Sequence, residues 1–167
     1  TDDTRSAVTH SDIVVLAVKP QIMRKVVMDL ASALKADAVV VSVAAGISIN
    51  SLQLWLGNST AIVRAMPNTP SLVLSGATGL FANELTSQSH KDSVDQIFNA
   101  VGYCCWVESE EQINAVIAVS GSGPAYFFRI LEIMQAVGQE LGLSEEIARE
   151  LVSQTALGAS HMAKVSD

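Results

Sequence analysis

The chain has little charge, and least of all positive charge. Charged residues make up 16% of its 167 positions, against about 25% in an average soluble chain. Ten Lys and Arg stand against seventeen Asp and Glu, leaving a net charge of −7. That balance cannot build a basic face, which argues against a nucleic-acid groove or a surface for anionic membranes. Low charge with 49% hydrophobic residues also excludes disorder. There are only two cysteines, Cys104 and Cys105, and they are adjacent. A vicinal disulfide is strained, and strand alternation points neighbouring side chains to opposite faces. Both are therefore expected to be reduced and structural, in the cytoplasm. His10, His90 and His161 lie too far apart for metal-ligand spacing, so no metal is expected. A nucleophile–histidine–acid set, a P-loop and a Gly-x-Gly-x-x-Gly fingerprint are all missing. The N-terminal stretch is polar, unlike a signal peptide. The most apolar stretch, 36–49, is shorter than the roughly 20 residues of a membrane helix and carries Asp37 and Ser42. The first residue is Thr rather than Met, which points to a fragment or a processed product.

At roughly 150 residues per domain, the length predicts one domain or one and a fraction. Residues 13–18 (IVVLAV), 38–43 (AVVVSV) and 61–66 (AIVRAM) are continuous apolar runs, the mark of strands buried on both faces of a parallel sheet. Between them, Ile22, Met23, Val26, Val27, Leu30 and Leu34 recur at helical spacing. A shorter helix, capped by Ser48 or Asn50, runs to Leu56. Further strands are expected at 78–82 and 103–107, with a helix at 89–101. From Glu108 onward only helical signals remain, broken at 120–124 and at Gly142. The pattern is an α/β module over 1–107 followed by a helical module over 108–167. So short a helical module cannot bury its Ile, Leu, Val and Phe by itself. It packs either on the α/β module or against a second chain.

Four loops carry possible chemistry. Ala17-Val18-Lys19-Pro20, Ala44-Ala45-Gly46 and Met66-Pro67-Asn68-Thr69-Pro70 each follow a strand. In open α/β sheets ligands bind at the carboxyl ends of strands. Small residues at 44–46 allow a flat ring to approach the backbone, and two prolines stiffen the loop that presents Asn68 and Thr69. The fourth, Ser120-Gly121-Ser122-Gly123-Pro124, could offer an anion-binding nest ahead of a helix. Taken singly, the first and fourth also read as ordinary helix starts with proline at the first position. The acidic residues Glu108, Glu110 and Glu111 suit a solvated helix start.

Together these segments resemble pyrroline-5-carboxylate reductases. The similarity rests on AVSGSGPAY (118–126), followed by Glu132, Leu141-Gly142-Leu143 and Gln154-Thr155-x-x-Gly158-Ala159. It also rests on RAMPNTP (64–70) with Gly76 and Gly79, on DIVVLAVKP (12–20) and on SVAAGI (42–47). It implies an α/β plus all-α fold: a partial Rossmann-type parallel sheet, then a helical domain through which two subunits interlock, with dimers or higher homo-oligomers. The implied reaction is reduction of 1-pyrroline-5-carboxylate to proline by hydride from NADPH or NADH. Ala17, Val18, Lys19, Pro20, Ala44, Ala45 and Gly46 match segments that line the cofactor, and Thr4 stands where the family often has a cofactor-contacting Asn. Glu110, Asn68, Ser122 and Gly123 fall near the substrate, and no residue is assigned as catalytic. The family's glycine-rich dinucleotide turn and its later Ser-Pro-Gly-Gly segment are absent, so the chain reads as the middle of such an enzyme and is expected to be inactive alone. The alternatives are another two-domain nicotinamide dehydrogenase and a non-catalytic dimerisation or nucleotide-binding module.

Overall fold

A computed structural model describes residues 3–166. It divides into two compact units, Thr1–Gly121 and Ser122–Asp167. The first opens with a short helix, α1 (Thr4–Thr9), which the sequence reading did not anticipate because it is polar outside Ala7 and Val8. Asp3 caps it, accepting a hydrogen bond from the Arg5 amide. Strand β1 (Ile13–Leu16) leads into α2 (Pro20–Leu30). Proline opens α2 where no intrahelical donor is needed, and Met23, Val27 and Leu30 form its buried stripe. Strand β2 (Val39–Ser42) is buried at every position. It is followed by α3 (Ile49–Leu56), which Ser48 caps by accepting from the Ser51 amide. Strand β3 (Ala61–Met66) ends at the proline loop, which winds into a single 3₁₀ turn, Thr69–Val73. Strand β4 (Gly76–Ala82), α4 (Gln88–Asn99) and β5 (Gly102–Trp106) complete the sheet.

The strands lie in the order β1-β2-β3-β4-β5. Helical crossovers make β1, β2 and β3 parallel, and likewise β4 and β5. The sheet is parallel, as expected from sequence, at every pair but one, since β3 and β4 run antiparallel. Their link, 67–75, holds only the 3₁₀ turn, and reversing direction needs no crossover helix. Alternation sorts the core onto two faces. Val14, Leu16, Val40 and Ile62 pack under α2 and α3, while Val39, Val41, Val63 and Leu80 pack with Val94 and Phe98 of α4.

The first unit does not stop where helical signals begin. After β5 comes a short helix, α5 (Gln112–Val116), which continues through a π turn at Ile117–Gly121. Ile113 is fully buried, and Val116 presses on the sheet at Gly79, where an added Cβ would lie 2.5 Å from a Val116 methyl. The compact division thus falls after Gly121 rather than after residue 107, because 108–121 rests on β4. Ser120 donates its hydroxyl to the Val116 carbonyl four residues back, a bond that disturbs regular helix geometry at the π turn.

The second unit is a helical hairpin, α6 (Gly123–Glu140) and α7 (Glu145–Val165). Gly138 lets the two helices close, since a Cβ there would sit 3.2 Å from the Ala148 methyl. Gly142 turns the chain at φ 97°. Of the two helices only Gly123, Ala148 and Val152 are buried, while Tyr126, Phe127, Phe128, Ile130, Leu151 and Leu157 are exposed. By length and composition the stretch Gln112–Glu140 is also long and apolar enough to cross a bilayer, which the sequence reading, fixed on 36–49, overlooked.

Candidate active site at the strand ends

Leu16, Ser42 and Arg64 stand abreast in the parallel register of β1, β2 and β3. The loops that follow, 17–20, 43–48 and 67–70, therefore leave the sheet from one edge. Ala44 is buried, its amide held by Ser42 Oγ at 3.3 Å, and the Val43 amide donates to the Leu16 carbonyl. Ala45 and Gly46 lie at the surface. Gly46 has φ 76°, a left-handed conformation that favours glycine, and open space where a side chain would project. Ala17, Lys19 and Pro20 are exposed and Val18 half-buried. Beside β1 runs a groove of about 260 Å³ that brings Thr4 together with Ala17 and Val18. Lys19 is not among the residues lining that groove. It stands at the N-cap of α2, its carbonyl accepting from the Ile22 amide.

Glu110 is the most connected of the expected residues. Its Oε1 accepts from Arg64 Nη1 at 2.7 Å and from the Ile49 amide at 2.7 Å, while Oε2 makes no hydrogen bond among the described residues. Arg64 is buried. The Glu110 side chain keeps 29% of its surface exposed, so the pair is neither free in water nor fully sealed. Asn68 is also committed. Its amide nitrogen donates to the Ser120 carbonyl at 3.0 Å, and its amide oxygen accepts from Ala77 at 2.8 Å. It ties the proline loop to β4 and to the π turn.

Ser122 and Gly123 belong to the second unit and open α6, with the Ser122 carbonyl accepting from the Ala125 amide. Neither Gly121 nor Gly123 takes positive φ, so the alternating hand of an anion nest is not formed there. Among the described residues no group of His, Cys, Asp and Glu could hold a metal ion.

The sequence reading placed Arg64 only within a motif and missed its part in the site. The available signal was a single charge inside an otherwise apolar strand. A second feature it missed is a groove of about 710 Å³ between α5 and the β4–β5 face, lined by Gly79, Tyr103, Cys105, Val116 and Val119 among others. Cys104 faces away, packed on the α4 side with Sγ 3.6 Å from Asp95, which also accepts from Trp106 Nε1 at 2.8 Å. Burial, and then the Asp95 carboxylate, push the Cys104 thiol above the ordinary cysteine range.

Comparison with known proteins fits this arrangement. Residues 110–167 match the profile for pyrroline-5-carboxylate reductase dimerisation. Residues 1–94 match that for the N-terminus of NAD-dependent glycerol-3-phosphate dehydrogenase. A pyrroline-5-carboxylate reductase of Pseudomonas aeruginosa is 49% identical over 99% of this chain and 61% of its own length. The structure is similar to that of a pyrroline-5-carboxylate reductase from Coxiella burnetii, with a TM-score of 0.94, 46% identity, and coverage of 100% of this chain and 62% of that one. It is also similar to the Plasmodium falciparum pyrroline carboxylate reductase with NADP bound, with a TM-score of 0.91, 34% identity, and coverage of 98% and 62%. The chain spans about three-fifths of the length of these relatives. With 49% identity over 166 residues, the chain is similar along nearly all of its length to part of the pyrroline-5-carboxylate reductases.

Proposed function

We propose that the protein carrying this chain reduces 1-pyrroline-5-carboxylate to proline with NADPH or NADH, as a homodimer or higher homo-oligomer in the cytoplasm. The observation that carries the reading is the 49% identity to the Pseudomonas aeruginosa reductase over 99% of this chain. The relative from Plasmodium falciparum binds NADP. The edge described above suits a nicotinamide dinucleotide. Ala44, Ala45 and Gly46 present only small groups there, and open space at Gly46 leaves the backbone approachable. Ala17, Val18, Lys19 and Pro20, with Thr4 beside them, would line the rest of the dinucleotide. When bound, the cofactor supplies the hydride.

The chain's own contribution is placement. A stiff proline loop, the proline that opens α2 and the Ser48 cap of α3 hold the strand-end loops in fixed positions, which is where most of the gain from bringing reactants together arises. Glu110 Oε2 is the open acceptor beside this edge and would hold a protonated ring nitrogen by a charge-assisted hydrogen bond. Asn68 shapes the same loops. The exposed apolar side chains of α6 and α7 are covered by a second copy, in keeping with the dimerisation profile over 110–167. Nucleic acid and membrane are not partners on this reading.

The test is turnover of purified full-length protein with 1-pyrroline-5-carboxylate and NADPH or NADH, with proline identified as product. Absence of turnover with both cofactors refutes the reading. Residues 1–167 alone should be inactive, and proline formation by that piece would show that the segments beyond it are dispensable.

A further inference from the structure

We propose that Arg64 is a positioning residue whose ion pair with Glu110 locks the 43–48 loop and the lead into α5 to the end of β3, so that one oxygen of Glu110 stays free to face a ligand. The proposal rests on the reductase reading for its kinetic consequence, though not for the lock itself.

The two bonds to Glu110 Oε1 join three segments far apart in the chain. Arg64 is 46 residues from Glu110, and Ile49 is 61. Ile49 is the first residue of α3, immediately after the 43–48 loop. Glu110 in turn sits in the turn before α5, where its carbonyl accepts from the Ile113 amide, and Ile113 is the buried anchor of that helix. A carboxylate alone could rotate. It is pinned because Arg64 rises from a strand buried on both sides, in register with Ser42. Both bonds fall on one oxygen, which leaves Oε2 without a hydrogen bond among the described residues. Arg64 itself is buried and acts through Glu110 rather than on a ligand directly.

If Glu110 were merely a helix-start acid, neither bond would matter to the loop before α3. With the lock, losing Arg64 should free that loop as well as Glu110. Arg64→Met in the full-length protein should speed amide exchange across 43–52 and lower kcat/KM for the imine by about 10–100-fold. The KM for NADPH should also rise, by roughly 3–10-fold, because both sides of the edge lose their register. Arg64→Lys should recover part of both effects, since it restores the charge without the planar fork. Glu110→Gln keeps an acceptor for the Ile49 amide and should leave exchange across 43–52 closer to wild type than Arg64→Met does.

Amide exchange and turnover separate the two readings. An inactive wild-type enzyme refutes the reductase assignment while leaving the lock to be judged by exchange alone. Unchanged exchange across 43–52 in Arg64→Met overturns the lock. Faster exchange with wild-type kinetic constants overturns the positioning role, because the pair would then only stabilise the fold. A rise in KM for the imine alone, with exchange unchanged, also overturns it and makes Arg64 a direct ligand contact. If Arg64→Met does not fold, the same comparisons are made on Arg64→Lys, for which wild-type exchange and kinetics would refute the proposal.

Discussion

Gly79→Ala adds a single methyl group at the tightest contact between α5 and the sheet. The new Cβ would lie 2.5 and 2.8 Å from the two Val116 methyls and 3.1 Å from its Cβ, where carbon atoms prefer about 3.5–4.0 Å. Rotating Val116 does not relieve the clash, because its Cβ is itself too near and a β-branched residue in a helix has essentially one comfortable rotamer. The helix must retreat from β4, and overpacking of that kind costs about 1–3 kcal/mol. For a protein of this size class, that corresponds to a fall of about 2–12 °C in Tm. Val116→Ala alone should cost about 1 kcal/mol, as two half-buried methyls are lost. The double variant should be no less stable than Val116→Ala, a favourable coupling of about 1–3 kcal/mol. Thermal or denaturant unfolding of the four full-length proteins measures this cycle. A Gly79→Ala protein as stable as wild type, or a double variant whose losses simply add, would refute the close approach of α5 to β4.

Asn68→Ala leaves the Ala77 amide and the Ser120 carbonyl without their partner, and should cost about 1–3 kcal/mol in unfolding experiments. Asn68→Asp should cost less, as it keeps the acceptor for Ala77. Asp12 is held below its ordinary carboxylate value by its hydrogen bond to Lys35 and the lysine's charge. Its folded pKa is depressed, so its small contribution is present above the unfolded value of 3.8 and is lost as pH falls through the folded one. NMR titration should show the Asp12 midpoint returning upward in Lys35→Met, and an unmoved midpoint would discount the pair. Phe128→Glu, at an exposed position of α6, should convert the full-length oligomer to monomer in sedimentation experiments, and an unchanged sedimentation coefficient would place the interface elsewhere.

Some features of the fold were legible because they arise from short-range chemistry. The run Val39–Ser42 is buried on both faces as expected, whereas Ile13–Leu16, the outer strand of the described sheet, leaves Val15 exposed on one face; proline and serine at positions 20 and 48 mark where helices start. The direction of β4 was not legible, since a strand has the same side-chain period whichever way it runs. Nor was the compact boundary after Gly121. Residues 108–121 look helical locally, yet they are held to the sheet by Ile113 and by the missing side chain at Gly79. The strand-end loops could be grouped because parallel strands with helical crossovers all end on one side. What Glu110 and Asn68 bond to could not be read. Their partners lie 46 to 61 residues away for Glu110 and 52 for the Asn68–Ser120 bond, and nothing in local spacing reports a contact at that range. An arginine inside AIVRAM was the nearest thing to a clue, since a charge there must meet an acid brought from elsewhere in the chain.

The order of strands in the sheet repeats their order in the chain, so every strand pairs with its immediate predecessor. Each new strand closes a loop of modest length onto an edge that already exists, which keeps contact order low for a largely parallel sheet. On a ribosome, β2 can settle on β1, and β3 on β2, without waiting for distant sequence. The bonds of Glu110 to Arg64 and Ile49, and of Asn68 to Ser120, have to await synthesis of the residues after β5. The scaffold can therefore form while the strand-end loops are still loose, and the contacts that fix the loops in place come after it.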